Sequence, residues 1–219
     1  MAELIDVYDE LGRHRGVRDR AAAHAEGWWH VAFHLLIVAR RSSGPAVILQ
    51  RRASTKASFA DLLDLSATGH LEAGESPLDG LREAREELGV ELDLAALVSL
   101  GVRRIVDETP EGLNREFCHV FLARDDRSLD AYRPDPAEVS AVVELGIDAG
   151  RDLFSGAAGR VEAVELLVGG EARPIEVTRG HFVPEGTLGD LAPDPGYGYW
   201  LTLLAMAELF SEGDTRLSI

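Results

Sequence analysis

The chain has 219 residues, of which 46% are hydrophobic, so it is long enough to bury a core in a single domain. Its 22 basic and 38 acidic residues give a formal charge of −16, and without a basic stripe this argues against nucleic-acid binding through phosphates. The single cysteine, Cys118, excludes an internal disulfide and is consistent with a reducing compartment. Because no apolar run reaches membrane-spanning length and no signal-peptide core opens the chain, we expect a cytoplasmic protein with no membrane contact.

The amino-terminal part predicts strands. Residues 1–27 predict a short strand or hairpin at Leu4–Tyr8, followed by a polar, arginine-rich connection. The apolar run Trp28–Arg41 predicts a buried strand, and Ala46–Arg52 predicts the returning strand after a turn at Ser42–Pro45.

The stretch from Gly69 to Val90 combines a glycine-bounded loop with glutamates at one-turn spacing. Ser76 and Asp79 predict a capped helix start, and Gly89 ends the helix. The apolar positions recur at three- and four-residue steps, which predicts one stripe facing the core. They are Leu78, Leu81, Ala84 and Leu88.

Three glutamates of this helix share one sector of its surface. At about 100° per residue, Glu87 lies roughly 40° and Glu86 about 60° around the axis from Glu83. Like charges this close repel one another unless a cation sits among them, and carboxylate oxygens are the ligands that Mg²⁺ prefers. The alternative is a solvated acidic face paired with Arg82 and Arg85.

The segment resembles the signature of the Nudix hydrolases, in which a glycine, five residues, a glutamate and seven residues precede Arg-Glu-x-x-Glu-Glu-x-Gly and an aliphatic residue. The matching positions are Gly69, Glu75, Arg82, Glu83, Glu86, Glu87, Gly89 and Val90. Only six residues separate Glu75 from Arg82 here, one fewer than in the pattern. The position of Glu75 relative to Arg82 and to the metals is therefore expected to differ from that in the family.

The resemblance implies a metal-dependent hydrolase of a small-molecule diphosphate, with Mg²⁺ as cofactor and Mn²⁺ as its substitute. It implies that Glu83, Glu86 and Glu87 hold the metal, that the Gly69 carbonyl and Glu75 assist, and that Arg82 orients a box glutamate. A homodimer is common among such proteins.

The residues before the box resemble the branch that includes isopentenyl-diphosphate isomerase and its hydrolase relatives. The matches are Arg52, Lys56, Asp64, Ser66, Gly69 and His70, whereas Phe59, Ala60, Asp61 and Leu63 replace that branch's Trp, Pro, Gly and Trp. Arg51, Arg52 and Lys56 are candidates to bind the terminal phosphate or another anionic group, the alternative being exposed loop charges.

The histidines are candidates for a second metal site. His24, His30 and His70 fall where the isomerases hold a metal with three histidines and two glutamates, and Glu116 falls on one of those glutamates. Asn114 replaces the other, and Thr68 replaces the cysteine that the isomerases need. Ordinary hydrogen bonds are the alternative for the histidines. Glu116 is a candidate metal ligand or general base, or else a plain strand glutamate.

The rest of the chain predicts a hairpin, Val98–Ile105 with Glu116–Ala123, around a turn at 110–114. A strand at Val139–Leu145, with Glu138 before it, and a short helix at 149–156 follow. A second hairpin with Gly169 and Gly170 at its tip and a closing helix at Tyr199–Phe210 complete the pattern, the helix presenting Trp200, Leu203, Leu204, Met206 and Leu209 to the core.

These elements predict an α+β protein, an α/β/α Nudix sandwich with a mixed sheet plus a carboxy-terminal hairpin and helix. We expect one domain over 1–219, with its core at about 28–157, an amino-terminal strand and connection at 1–27 and an extension at 158–219. The predicted function is pyrophosphohydrolysis of a nucleoside or other organic diphosphate. An isomerase-like enzyme and a nucleotide-sensing regulator are the alternatives.

Overall fold

The computed structural model describes residues 3–109, 112–184 and 197–219. Its strands are β1 (Leu4–Tyr8), β2 (His14–Asp19), β3 (Trp29–Arg41), β4 (Gly44–Arg52), β5 (Leu63–Asp64), β6 (Ala67–His70), β7 (Val98–Thr109), β8 (Gly112–Arg124), β9 (Val139–Gly146), β10 (Val161–Leu167) and β11 (Ala172–Val177). Its helices are α1 (Arg20–Glu26), α2 (Arg82–Leu88), α3 (Ile147–Ser155) and α4 (Gly198–Ser211).

One mixed sheet runs through the molecule. Its main path has the order β11-β10-β9-β4-β3-β1-β2, with β5 beside β4 and β6 beside β3. The hairpin of β7 and β8 joins this path because β8 pairs in parallel with β3 along ten residues, from Trp29 opposite Arg115 to Val38 opposite Arg124. Strand β3 is therefore the centre of the sheet, and side chains from β6, β8 and α1 converge beside its first half.

Helices cover both faces of this sheet. Alternate residues of β3 point to opposite sides, so this strand contributes side chains to the packing on each face. On one side Phe33 and Leu35 pack with Ala84 and Leu88 of α2. On the other side Leu36 packs in the cluster that contains the buried residues of α3 and α4. The result is the predicted helix–sheet–helix sandwich.

Most predicted elements are confirmed, including the first strand, both later hairpins and the closing helix. Of the predicted turn at 110–114, residues 110 and 111 lie outside the described residues, and residues 112–114 belong to strand β8, so the strands of this hairpin are longer than predicted. The prediction of an arginine-rich connection without regular structure is wrong, because this segment forms strand β2 and helix α1. Asp19 caps α1 by accepting a hydrogen bond from the Ala21 amide.

The helix at the glutamates starts later than the sequence predicts. A 3-10 turn occupies Asp79–Leu81, and the α-helix begins only at Arg82. The Asp79 carboxylate accepts hydrogen bonds from the amide and hydroxyl of Ser76, at 2.7 Å each, so Asp79 makes its expected contact while the Ser76 side chain donates instead of capping. Leu78 is 47% exposed, which contradicts its predicted place in the core; Leu209 of α4 is also exposed.

No helix within the described parts of the chain combines the length and the apolar character that crossing a bilayer requires.

Candidate active site

Helix α2 directs its glutamates toward strand β6. The helix ends at Gly89, whose φ of 66° is left-handed and suits glycine. Glu87 is 3% exposed, and one of its carboxylate oxygens accepts hydrogen bonds from the Thr68 amide and the Gln50 side chain, both at 2.9 Å. No sequence motif indicates Gln50, which is fully buried; its signal is a polar residue directly after the apolar run of β4.

Glu83 lies against Gly69. A Cβ atom at Gly69 would overlap the Glu83 carboxylate, so only glycine lets β6 and this side chain approach so closely. Arg82 Nη1 donates to Glu83 at 2.5 Å and to the more exposed Glu86 at 3.2 Å. The guanidinium thus draws two of the three glutamates together.

Glu75 contacts Arg82 from the other side. Its two oxygens accept from Arg82 Nε at 3.0 Å and Nη2 at 3.2 Å, and Arg82 Nη2 also donates to the His70 carbonyl. The shortened spacing therefore still permits a bidentate ion pair. Glu75 does not line the cavity into which the other three glutamates project, so the structure places it as a partner of Arg82.

Two of these carboxyl groups bind protons unusually tightly. Burial raises the pKa of Glu87 to about 8, outweighing the Thr68 amide hydrogen bond that lowers it. Burial also raises the pKa of Glu83 to about 7, opposed by Arg82 and reinforced by the nearby charge of Glu86. Without a cation, Glu87 is therefore mostly protonated near pH 7 and Glu83 about half protonated.

These residues fit Mg²⁺. Three carboxyl groups from one helix face a single cavity, and the penalty that raises the pKa values of Glu83 and Glu87 disappears if a divalent cation binds the ionised forms. All the donors are oxygen atoms, which is the set that Mg²⁺ and Mn²⁺ select.

The cavity has a volume of about 660 Å³ and carries basic side chains beside the glutamates. Arg52 is held by Asp64 at 2.9 Å and by the Ser58 carbonyl at 3.2 Å, and Lys56 forms an ion pair with Glu138. Both basic residues line the cavity.

Arg51 does not line this cavity. Its guanidinium binds the buried carboxylate of Glu165 at 2.8 Å and the Asp61 carbonyl at 3.0 Å. Since Arg51 and Arg52 are consecutive on β4, their side chains point to opposite sides of the sheet.

The other end of the cavity holds a cluster of imidazoles. The ring centroids of His24, His30 and His70 lie 4.8 to 5.4 Å apart, and one potential ligand nitrogen from each lies within 4.8 Å of the other two. Glu116 joins them, with one oxygen 3.0 Å from His70 Nε2 and 3.7 Å from His30 Nε2. Residues from α1, β3, β6 and β8 therefore meet here.

Two residues of this histidine group, His24 and Glu116, are deprotonated at neutral pH, which suits cation binding. Burial lowers the pKa of His24 to about 4, so its imidazole is neutral at physiological pH. Burial alone would raise the pKa of Glu116, but the adjacent His30 ring and the hydrogen bond with His70 outweigh it, and this pKa lies well below its usual range. Glu116 is thus a buried carboxylate surrounded by imidazoles. Asn114 also lines the cavity.

Comparison with known proteins identifies the family. The NUDIX domain model matches residues 28–165, more than half of the chain. The chain therefore belongs to the Nudix family, and its sandwich is the Nudix fold.

Relatives from both enzyme classes are similar to this chain. It is 29% identical over 206 residues to an uncharacterized Nudix hydrolase of Clostridium acetobutylicum, which covers 92% of this chain and 95% of that protein. It is 31% identical over 152 residues to an isopentenyl-diphosphate Delta-isomerase of Cutibacterium acnes, with 66% and 74% covered. The crystal structure of DR0079 from Deinococcus radiodurans superposes with a TM-score of 0.54 at 24% identity, covering 70% of this chain and 90% of that one, and supports the fold. Family membership and the hydrolase relative support a hydrolase that acts on diphosphate compounds.

Proposed function

We propose that this protein is a Mg²⁺-dependent pyrophosphohydrolase that cleaves a nucleoside or other organic diphosphate. The observation that carries the proposal is the convergence of Glu83, Glu86 and Glu87 on one cavity that also presents Arg52 and Lys56. Carboxylates that need a cation and basic groups that attract an anion are thus neighbours, which is what a metal–diphosphate complex requires.

Glu83, Glu86 and Glu87 would hold Mg²⁺, which would supply positive charge to the diphosphate and make an attacking water more acidic. Arg82 keeps Glu83 and Glu86 close together and is itself fixed by Glu75 and the His70 carbonyl. Arg52, oriented by Asp64, and Lys56 bind the anionic end of the substrate. Gly69 leaves the space in which the Glu83 carboxylate sits.

The direct test is a panel of nucleoside and non-nucleoside diphosphates, assayed for release of phosphate or a monophosphate with Mg²⁺ and with Mn²⁺. Hydrolysis in ¹⁸O-labelled water then shows which phosphorus is attacked. Equilibrium binding of diphosphates with no release across the panel would contradict the proposal and favour a nucleotide-sensing regulator.

An isomerase of isoprenoid diphosphates is the second candidate, and the histidine group with Glu116 is the observation that favours it. Thr68 opposes it, because an aliphatic hydroxyl is a far weaker acid than a thiol and protonates an alkene poorly. Isomerised product from the wild-type chain, increased by Thr68→Cys, would support this candidate. Hydrolysis products alone, with no gain from Thr68→Cys, exclude it.

A further inference from the structure

A second group of possible metal ligands lies on the two parallel strands at the centre of the sheet, next to the cavity. In the pairing of β3 with β8, His30 lies opposite Glu116, Ala32 opposite Cys118 and His34 opposite Val120. Alternate positions of a strand face the same side, so His34, Glu116 and Cys118 share one face of the sheet. One ligand atom from each lies within 4.8 Å of the other two.

His34 has no role in the chemistry described above. It is 6% exposed, and its buried Nδ1 has no hydrogen-bond partner among the residues that the structure describes. A neutral imidazole has one nitrogen without a proton, and that nitrogen can bind a metal ion. Buried imidazole nitrogens are normally satisfied, and a bound cation would satisfy this one.

Cys118 and Glu116 already have a spacing that suits an ion. Cys118 is fully buried, and its Sγ donates to one oxygen of Glu116 at 3.3 Å. Around a tetrahedral Zn²⁺, a sulfur and an oxygen ligand lie about 3.5 Å apart. The other oxygen of Glu116 contacts His70. One oxygen of Glu116 therefore contacts Cys118, and the other contacts the histidine group.

We propose that His34, Glu116 and Cys118 form a binding site for one Zn²⁺ ion, separate from the glutamate cluster of α2. A thiolate, an imidazole and a carboxylate favour a borderline-soft ion, whereas the oxygen-only cluster favours Mg²⁺. On binding, the Cys118 S–H bond breaks, an S–Zn bond forms and one proton is released to solvent, with no change of oxidation state.

The site has three protein ligands and an open side. His34 and Glu116 both line the main cavity, in which the proposed function places the substrate, so the fourth position of the ion would face that cavity. Zinc sites with three protein ligands keep that position for a water or a ligand atom. An ion held there would thus offer its open position to a donor atom of a molecule bound in the cavity.

Cobalt titration tests this proposal, because Co²⁺ replaces Zn²⁺ and its bond to a thiolate gives a charge-transfer band in the near ultraviolet. The chain has a single cysteine, so any such band comes from Cys118. Tag-free protein stripped of metal with a chelator is titrated with Co²⁺. We expect a charge-transfer band that saturates at one ion per chain and is abolished by Zn²⁺.

Matched variants locate the ion. His34→Phe keeps the ring volume without nitrogens and should weaken Co²⁺ binding at this site at least about tenfold, as expected for the loss of a ligand. Cys118→Ala should abolish the band. Glu83→Gln, in the glutamate cluster, and His24→Asn, in the histidine group, should leave it intact.

Visible cobalt bands without the charge-transfer band would place the ion at oxygen and nitrogen ligands elsewhere and overturn the proposal. A charge-transfer band of unchanged affinity in His34→Phe would overturn it as well. If Cys118→Ala does not fold, the wild-type spectrum and anomalous scattering at the zinc absorption edge still decide the question, since they need no variant.

Discussion

At the scale of single residues, Glu86 and Arg85 form a matched pair on the exposed part of α2. Glu86→Gln removes one negative charge from a candidate metal ligand at nearly constant volume. We expect kcat for diphosphate hydrolysis to fall by about 10²-fold or more, because stabilisation of charge in the transition state depends on the metal. Glu86 is about half exposed, so the melting temperature should change little.

Arg85→Gln is the control, since Arg85 is more exposed than Glu86 and does not line the cavity. Its kcat should stay close to wild type. Steady-state kinetics under saturating Mg²⁺ measure both variants, and an equal loss in the two would show that surface charge, not metal binding, is responsible.

The raised pKa values of Glu83 and Glu87 predict how stability depends on pH and Mg²⁺. In the metal-free protein, the unfolded chain loses the Glu87 proton near the ordinary pKa of 4.5, whereas the folded chain keeps it until about pH 8. The unfolded state thus binds fewer protons over this window, and the free energy of unfolding falls as pH rises. Glu83, with a pKa of about 7, acts in the same direction.

Mg²⁺ binds the ionised carboxylates, so it should offset this loss. We expect the increase in melting temperature caused by Mg²⁺ to be larger at about pH 8.5 than at about pH 5.5. Thermal melts across pH with and without Mg²⁺ measure it. The Glu83→Gln variant should show a smaller pH dependence of this increase; an increase independent of pH in the wild type would refute the assignment of these carboxyl groups.

At the scale of elements, the 3-10 turn Asp79–Leu81 replaces the first turn of the helix, and Gly80 is the residue that matters in it. A Cβ atom at Gly80 would lie 2.5 Å from the Cβ of Phe33 on β3. Two effects therefore oppose each other in Gly80→Ala. Alanine favours helix by about 1 kcal/mol, whereas overpacking against a buried ring costs about 1–3 kcal/mol.

We expect overpacking to win, so Gly80→Ala should lower the free energy of unfolding measured with urea. Combining it with Phe33→Ala in a double-mutant cycle should show positive coupling, because alanine removes the Cγ and Cδ2 atoms that would lie 2.6 and 2.8 Å from the new methyl group. Gly159→Ala, at a glycine whose Cβ meets nothing within 4 Å, is the control. A stabilised Gly80→Ala would show that this turn tolerates a regular helix.

The sequence predicts elements better than it predicts side-chain direction. The strand at 139–145 and the closing helix follow from periodicity, and the structure confirms them. The exposed position of Leu78 could not be predicted, because the 3-10 turn changes the angle between residues from that of an α-helix. Helix α1 was missed because its apolar residues are alanines, which give a weak hydrophobic period.

In the candidate site, too, the sequence indicates which residues belong to the motif but not where the neighbouring side chains point. The motif identifies Glu83, Glu86 and Glu87, and the structure brings them together at one cavity. The different surroundings of Arg51 and Arg52 depend on the register of β4, which their shared charge does not reveal. The meeting of His24 with His70 depends on the packing of α1, and this contact joins residues far apart in the chain.

At the scale of the whole molecule, the net charge of −16 opposes the approach of a diphosphate, which is also anionic. On the proposed function, Arg52, Lys56 and Mg²⁺ would offset this repulsion at the cavity. Because salt screens long-range charges beyond a Debye length of about 10 Å at 0.1 M, we expect kcat/KM to rise as ionic strength increases from low values. If the chemical step takes place inside the cavity, as the proposed function requires, kcat should stay nearly constant.

The measurement is kcat/KM against NaCl concentration with Mg²⁺ kept saturating at every point, so that weaker metal binding does not enter. Reversing a distant surface charge, as in Glu212→Lys, should raise kcat/KM at low salt and flatten its dependence on salt, since Glu212 is exposed at the end of α4 and does not line the cavity. A kcat/KM that falls with salt would mean that Arg52, Lys56 and the metal outweigh the total charge. Association would then be governed by the field at the cavity mouth, and the acidic surface would serve solubility alone.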